Sequence, residues 1–475
     1  MGRRKKKKIV LEKVEITGIA DKGKSVGRNQ EGQVVFVDKV VPGDVVDVLV
    51  LRKRKGFMQG MAQTIHKYSE DRVEPICEHF GVCGGCKWQH LSYEAQIKHK
   101  ELVVHNAFRR IGKIEPEEGF YPILSATETS YYRNKLEFSF SNRRWLTSEE
   151  LSDESLSNQQ EVLGFHPPGS FDKIVDVRHC HLQGGISNDL RNTMRDLAIK
   201  QGLAFYDIRN RAGMLRHMIV RISSLGETML IVSFFENDPE KIQGYLGAIQ
   251  EKFPQLNSIY YCINPKMNDF MMDLEMNLFH GTPWIEEKLG EVRFRIGPKS
   301  FFQTNSLQAA RLFDVVAEFA DLQGTENVYD LYTGLGSIAL YLAKHCQQVV
   351  GIEEIAQAIE DAKDNMALNE IDNAVFYAGD VKDILTTDFA QQHGKPDVVV
   401  TDPPRAGMHK EVIGILLELA APKIVYVSCN PATQARDLSL LAEKYRVVKS
   451  RAVDMFPHTH HVENVALLVL KSATV

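Results

Sequence analysis

The residues best placed to do chemistry lie in the last third of the chain. Val427-Ser428-Cys429-Asn430-Pro431 ends an apolar strand candidate on a thiol, and His458-Thr459-His460-His461-Val462-Glu463-Asn464 sets a carboxylate just before the last apolar run, Val465–Leu470. A lone cysteine is more often an inert buried residue. Cys429 stands out by position: at the carboxyl edge of a sheet and beside a helix N-terminus, the dipole is expected to lower its thiol pKa and make it a nucleophile. Thr401-Asp402-Pro403-Pro404-Arg405-Ala406-Gly407 ends another strand candidate. Its two prolines make a stiff turn that could hold a carboxylate and a guanidinium beside a flat base. His460 and His461 have no further His or Asp at metal-ligand spacing, so a metal reading is set aside there.

A second group has the makings of a nucleoside site. Asp330-Leu331-Tyr332-Thr333-Gly334-Leu335-Gly336-Ser337 lets the backbone pass close to a ligand before a helix begins, although a lone G-x-G is also an ordinary βα turn. Glu353 follows Gly336 by 17 residues, and an acidic residue about 20 residues past a Gly-rich turn is where ribose hydroxyls are held. Gly379-Asp380 ends the next strand, a placement suited to an adenine amino group. The set fits S-adenosylmethionine better than a dinucleotide, because Ala339 stands where the phosphate fingerprint has its third glycine; alanine is a permitted variant, so the point only leans that way.

The cysteines form a third group. Cys77, Cys83 and Cys86 are spaced C-x5-C-x2-C, Cys180 sits in His179-Cys180-His181, and Cys262 and Cys346 stand alone. In a cytosolic chain a close cysteine group reads as a metal or cluster site before a disulfide framework. Four thiolates suit iron–sulfur or zinc equally, and the spacing leaves both open.

These groups need elements to position them. The chain has 475 residues, 44% apolar and 25% charged, room for about three domains with cores of their own. That composition excludes disorder, collagen and a disulfide scaffold. No run of about 18 apolar residues and no apolar leader occurs, so the expectation is a cytoplasmic protein without a membrane span. The formal charge of −5 hides an asymmetry: residues 1–60 carry +8, leaving −13 for the rest. The run Arg3–Lys8 reads on its own as a solvated tail. Arg52-Lys53-Arg54-Lys55 follows strand-like sequence and points to a polyanion.

Strand candidates Val10–Ile16, Gly32–Val37, Val45–Leu51 and Met58–Ile65 predict a small OB-like β-barrel, a fold that commonly binds single-stranded nucleic acid. Residues 91–112 read as a helix. The region 131–300 is mixed, with strands at Lys135–Ser141, Met218–Ser223, Thr228–Phe235 and Ser258–Cys262 and a solvated loop insertion over Leu146–Glu161. From about 300, apolar strands at Asn327–Leu331, Val349–Ile352, Ala374–Tyr377, Val398–Thr401 and Ile424–Val427 alternate with helices. That pattern predicts a parallel sheet covered on both faces, with ligands at the carboxyl ends of its strands.

With these motifs the chain resembles the S-adenosylmethionine-dependent RNA uracil-5-methyltransferases, specifically the iron–sulfur branch acting on large-subunit (23S) ribosomal RNA. The resemblance rests on Cys77-x5-Cys-Gly-Gly-Cys86 with Gln89-His90, Phe301-Phe302-Gln303-Thr304-Asn305, Asp402-Pro-Pro-Arg-Ala-Gly407, Ser428-Cys-Asn-Pro431 and His461-Val-Glu463. It implies a multidomain α/β protein: a TRAM-like barrel with its basic tail over 1–68, a central mixed α+β iron–sulfur domain over 69–299, and a Rossmann-like methyltransferase domain over 300–475. The helix at about 91–115 would pack on the last of these. The resemblance further implies a four-iron, four-sulfur cluster on Cys77, Cys83, Cys86 and Cys180. Gln303, Tyr332, Ser337, Glu353, Asp380 and Asp402 would line the cofactor site, with Cys429 as nucleophile and Glu463 as general base. Ser337 and Ile338 depart from the family's usual Asn and Phe. The expected partner is ribosomal RNA, and the expected state a monomer.

Three rival readings differ at particular residues. Base-nitrogen methylation also uses a D-P-P turn, but an aromatic residue follows it there, whereas here Arg405 follows and Cys429 would have no role. Radical chemistry needs C-x3-C-x2-C, which this chain lacks. A transfer-RNA substrate and a non-catalytic RNA-binding protein complete the alternatives; intact motifs around Cys429 and Glu463 argue against the latter.

Overall fold

The computed structural model describes residues 9–147 and 149–471, so the basic run Arg3–Lys8 lies outside the described residues. The chain divides into two compact units, Met1–Leu102 with Phe456–His460, and Val103–Met455 with His461–Val475.

In the first unit, strands Val10–Ile19, Ser25–Arg28, Val34–Asp38, Val45–Arg54 and Phe57–Lys67 close into a barrel, the fifth strand lying between the third and the fourth. Alternation along the strands turns Val14, Ile16, Val35, Val37, Val46, Val48 and Met58 inward, each burial stabilising the barrel by roughly 1.5–3 kcal/mol. The expected barrel is therefore present, with one strand more than the sequence pattern predicts. Ser25–Arg28 is short and centred on Gly27, a residue that weakens strand signals. Glycine is needed there because a Cβ would stand 2.3 Å from the Glu15 carbonyl oxygen. Arg52, Lys53, Arg54 and Lys55 are all exposed at the hairpin joining the last two strands. Asp44, fully buried, accepts hydrogen bonds from the Val41 and Ser69 amides and from Arg72. Burial alone would raise its pKa; the Arg72 guanidinium and the two amides hold the carboxyl below its ordinary value.

The second unit contains two large sheets. One has seven strands in the order Asn277–Gly281, Ser258–Ile263, Thr228–Phe234, Leu215–Ile222, Lys135–Arg143, Gln159–Phe165 and Val175–Asp176. The insertion expected over Leu146–Glu161 is not all loop: Glu150–Ser152 forms a 3-10 turn, and Gln159 opens a strand paired with Arg143. Its opening residues Gln159, Gln160 and Glu161 are all polar and are exposed or half-buried, and this hides the strand from a composition-based reading.

The other sheet has eight strands. Five are parallel, in the order Ala374–Ala378, Gln348–Glu353, Asn327–Leu331, Val398–Thr401 and Lys423–Ser428. Glu463–Leu470 runs antiparallel beside the last of them, followed by Tyr445–Val453 and Phe120–Leu124. The sheet is thus mixed rather than parallel throughout. Tyr445–Val453 escapes the sequence pattern because Arg446, Lys449 and Arg451 interrupt its apolar residues. Val104, Ala107 and Phe108 join the same core as Tyr329, Leu331 and Tyr426, and the π turn Phe108–Gly112 packs on helix Pro431–Leu441. No helix among the described residues is long and apolar enough to cross a membrane.

Candidate active site

The antiparallel pairing at the sheet's edge brings the two candidate catalytic residues together. Ser428 and Asn464 are the last paired residues of this ladder, so Cys429 and Glu463 flank its end, near enough for the Glu463 charge to act on the thiol. The chain leaves the strand sharply: Asn430 donates its amide to Ser428 Oγ and caps helix Pro431–Leu441 with its side chain. Cys429 is half-buried at this corner, while Glu463 is only 5% exposed.

The Pro-rich turn is tied to the same corner. Asn430 Nδ2 donates to the Arg405 carbonyl at 3.0 Å and Thr433 Oγ1 at 3.3 Å. The Arg405 guanidinium meets His461 Nδ1 at 2.9 Å. Behind the turn, the buried Asp437 accepts from the Met408 amide at 2.8 Å and the Tyr426 hydroxyl at 2.7 Å. Gln434, also buried, bridges the Tyr426 carbonyl and the Asn464 side chain. These bonds fix the two chain segments on which Cys429 and Glu463 sit, which keeps both near one working geometry.

Electrostatics at the corner oppose one sequence-based expectation. The Cys429 thiol is pushed up to about 11, by burial first and then by the Glu463 and Asp402 carboxylates, with Arg405 acting against them. The helix N-terminus does not offset burial and two nearby negative groups. Glu463 is pushed up to about 8 by burial and by Asp402, again opposed by Arg405. Burial takes Asp402 to about 7. Removing the Glu463 charge therefore eases thiol ionisation, and removing Arg405 hinders it. The pH midpoint for iodoacetamide labelling of Cys429, followed by peptide mass spectrometry, is expected to fall in Glu463→Gln and rise in Arg405→Ala. Midpoints that do not move would contradict this charge arrangement.

The nucleoside-site candidates cluster at the carboxyl ends of the parallel strands. Glu353 accepts the Gly334 amide at 3.1 Å and the Ile355 amide at 3.0 Å. Gly334 has a φ of +57°, and a Cβ there would have no atom within 4 Å, so the turn leaves open space on that side. Tyr332 also has a positive φ, +65°, and feels the charges of Asp380, Asp437 and Glu353. Ser337 is the first residue of helix Ser337–Ala343. Asp380 caps the turn Val381–Ile384, and its carboxylate is engaged by Lys382, which holds it below the ordinary carboxyl range. Gln303 lies in the half-buried turn before helix Ser306–Ala320, its carbonyl accepting from Asn134 Nδ2 at 2.8 Å.

Asp330 was not singled out for a role by its sequence. It is fully buried, accepts from Thr333 Oγ1 at 2.5 Å and from the Ala339 amide at 3.0 Å, and so braces the glycine turn against the helix that follows. Burial, then Asp402 and Glu353, push it up to about 7. An acidic residue ending a buried apolar strand is the signal that could have found it.

The cysteine candidates fall in both units. Within the first, the Cys77 amide donates to Gln89 Oε1 at 3.1 Å, and the Gly85 amide points at Cys83 Sγ at 3.4 Å. Within the second, the buried Cys180 has its backbone held by the Asn188 side chain. Among the described residues, no group of three or more His, Cys, Asp or Glu is gathered as a metal ion would require.

Comparison with known proteins identifies the family. Residues 277–471 match the family model described as tRNA (Uracil-5-)-methyltransferase, and residues 12–62 match the TRAM domain. An uncharacterized RNA methyltransferase of Porphyromonas gingivalis is 51% identical over 96% of this chain and 99% of its own length. One from Bacteroides thetaiotaomicron is 50% identical over 95% of this chain and all of its own length. Among solved structures, the tRNA (uracil-54, C5)-methyltransferase of Pyrococcus abyssi, in complex with S-adenosyl-L-homocysteine, superposes with a TM-score of 0.74 at 29% identity, covering 98% of this chain and all of that one. With its closed barrel and its methyltransferase sheet, the chain belongs to the S-adenosylmethionine-dependent RNA uracil-5-methyltransferases that carry a TRAM domain.

Proposed function

We propose that this enzyme methylates carbon 5 of a uridine in 23S ribosomal RNA through a covalent adduct on Cys429. The observation that carries the mechanism is that Cys429 and Glu463 flank the end of the Ser428–Asn464 pairing and share the charges of Asp402 and Arg405. Carbon 5 of uracil is a weak nucleophile. Addition of the Cys429 thiolate to carbon 6 forms an S–C6 bond and moves the C5=C6 pair toward O4 as an enolate, whose carbon 5 then takes the methyl group. Glu463 next removes the carbon 5 proton, the C5=C6 bond re-forms, and the thiolate leaves. One hard step becomes two easier ones. S-adenosylmethionine supplies an electrophilic methyl on a positively charged sulfur, and that charge favours the ionised forms of Cys429, Glu463 and Asp402.

Gln303, Tyr332, Ser337, Glu353, Asp380 and Asp402 would hold the methyl donor; the open space beside Gly334 supports that reading. Uracil stacked in a helix is out of reach, so the target base must be flipped or already single-stranded. The barrel and its exposed Arg52–Lys55 hairpin suit contacts to flanking phosphates, with strong salt dependence.

Cys77, Cys83, Cys86 and Cys180 would hold a [4Fe–4S] cluster, as the motif resemblance implies. An amide aimed at Cys83 Sγ is the kind of donor that stabilises a ligating thiolate. The same resemblance supports the ribosomal substrate. A second reading, a transfer-RNA substrate, is favoured by the likeness to the Pyrococcus abyssi enzyme. Incubation of the enzyme and labelled S-adenosylmethionine with purified 23S rRNA and, separately, bulk tRNA is expected to yield 5-methyluridine in the ribosomal RNA. Label in tRNA alone would replace the first reading with the second.

A further inference from the structure

One aromatic residue outside the catalytic corner is built as if to meet a base. Residues 131–133 run beside residues 181–183: the Tyr131 amide donates to the His181 carbonyl at 2.7 Å, the Arg133 amide to the Leu182 carbonyl at 2.8 Å, and Tyr132 bridges Gln183. Tyr132 is buried, whereas Tyr131 is 49% exposed. Tyr131 has a φ of +55°, a conformation that costs a tyrosine energy and persists only where the surroundings hold it. Its hydroxyl supplies part of that hold, meeting His179 Nε2 at 3.0 Å and His181 Nδ1 at 3.1 Å. A hydroxyl can donate to one imidazole nitrogen and accept from the other. The three rings are packed together, with centroids 4.5–6.2 Å apart. Tyr131 is thus pinned at its backbone, at its hydroxyl and along its ring edges, and still presents surface to solvent.

The charge nearby is of the sign RNA requires. The same segment continues through Arg133 to Lys135, and Lys135 is held below the ordinary lysine value by burial and then by the charges of Arg221 and Arg133. Among the described residues neither Lys135 nor Arg221 is in an ion pair. Glu137 offsets part of this charge, and the positive surplus that remains is of the sign an RNA phosphate meets favourably. A rigid, exposed aromatic ring supplies the stacking element of single-strand recognition, and its fixed orientation lowers the entropy lost on binding.

We propose that Tyr131, held by His179 and His181, is a stacking platform for an unpaired base of the RNA substrate. The proposal rests on the RNA-methylating reading above and adds a contact away from the reacting uracil. The alternative is that Tyr131 serves only as a clasp for the loop around Cys180.

The two roles separate in a variant series with short single-stranded oligouridine carrying one 2-aminopurine. Tyr131→Ala is expected to weaken binding roughly 10-fold, the order of one lost base–aromatic stack, and to abolish part of the 2-aminopurine quenching. Tyr131→Phe and Tyr131→Trp should bind within about 2-fold of wild type, because stacking needs the ring and not the hydroxyl. Unchanged affinity and quenching in Tyr131→Ala would overturn the platform, as would a loss in Tyr131→Phe equal to that in Tyr131→Ala, the mark of a clasp. Failure of the wider reading looks different: wild-type enzyme would then transfer no methyl group to RNA whatever residue stands at 131.

Discussion

Cys429→Ala is expected to bind S-adenosylmethionine like the wild type and to lose methyl transfer by roughly 10⁴-fold or more, in line with removal of a nucleophile from other covalent enzymes. The size of the effect follows from the absence of a substitute. Among the other cysteines, Cys262 and Cys346 are buried elsewhere in the second unit, and Cys429 is the thiol that feels the Glu463 charge. The thiol is small and half-buried, so its loss should leave the fold intact, and the thermal midpoint should stay close to that of the wild type. Methyl transfer to RNA and calorimetric binding of S-adenosylmethionine, measured side by side, check both halves. A variant with full activity would end the covalent account.

Glu463→Gln is expected to lower turnover by about 10²–10⁴-fold, the usual worth of a positioned general base, and to do so after the carbon–sulfur bond has formed. Its pH behaviour provides a second readout. In the free enzyme Glu463 is pushed up to about 8, so most of it carries a proton at neutral pH. A base must be ionised to work, and wild-type kcat/KM should therefore rise as pH increases through about 8. The Gln variant has no such group, so its remaining activity should keep only the rise set by ionisation of the Cys429 thiol. A pH profile identical in both proteins would remove Glu463 from the role of base.

The strand-end motifs were legible in the sequence because parallel strands buried on both faces read as unbroken apolar runs. Asp330, Glu353, Asp380 and Asp402 each stand at or just past the end of such a run. The partnership of Cys429 and Glu463 was not readable in the same way. It depends on an antiparallel pairing between strands separated by helix Pro431–Leu441 and strand Tyr445–Val453, and no local pattern specifies that register. The thiol pKa was misjudged for the same reason: the helix end is visible in the sequence, but the two carboxylates and the burial that outweigh it become visible only in three dimensions. Asp330 shows the limit from another side. Its neighbours marked a ligand turn, yet its role is to brace that turn from beneath through Thr333 and Ala339.

The basic character of the first 60 residues correctly anticipated the exposed Arg52–Lys55 hairpin on a barrel. The acidic body conceals its cations better. Arg133 and Lys135 stand two residues apart and are legible in the sequence as a local basic patch within it, whereas Arg221, whose charge adds to the effect of burial on Lys135, comes from a separate strand and is not.

The central claim is that the uracil ring is bonded to Cys429 while its methyl group is being installed. The most direct test is mass spectrometry of Glu463→Gln after incubation with S-adenosylmethionine and 23S rRNA, followed by ribonuclease and protease digestion. The predicted result is a methylated uridine nucleotide attached to the peptide containing Cys429. Methylated RNA with no adduct at any time point, or an adduct on another residue, would contradict it.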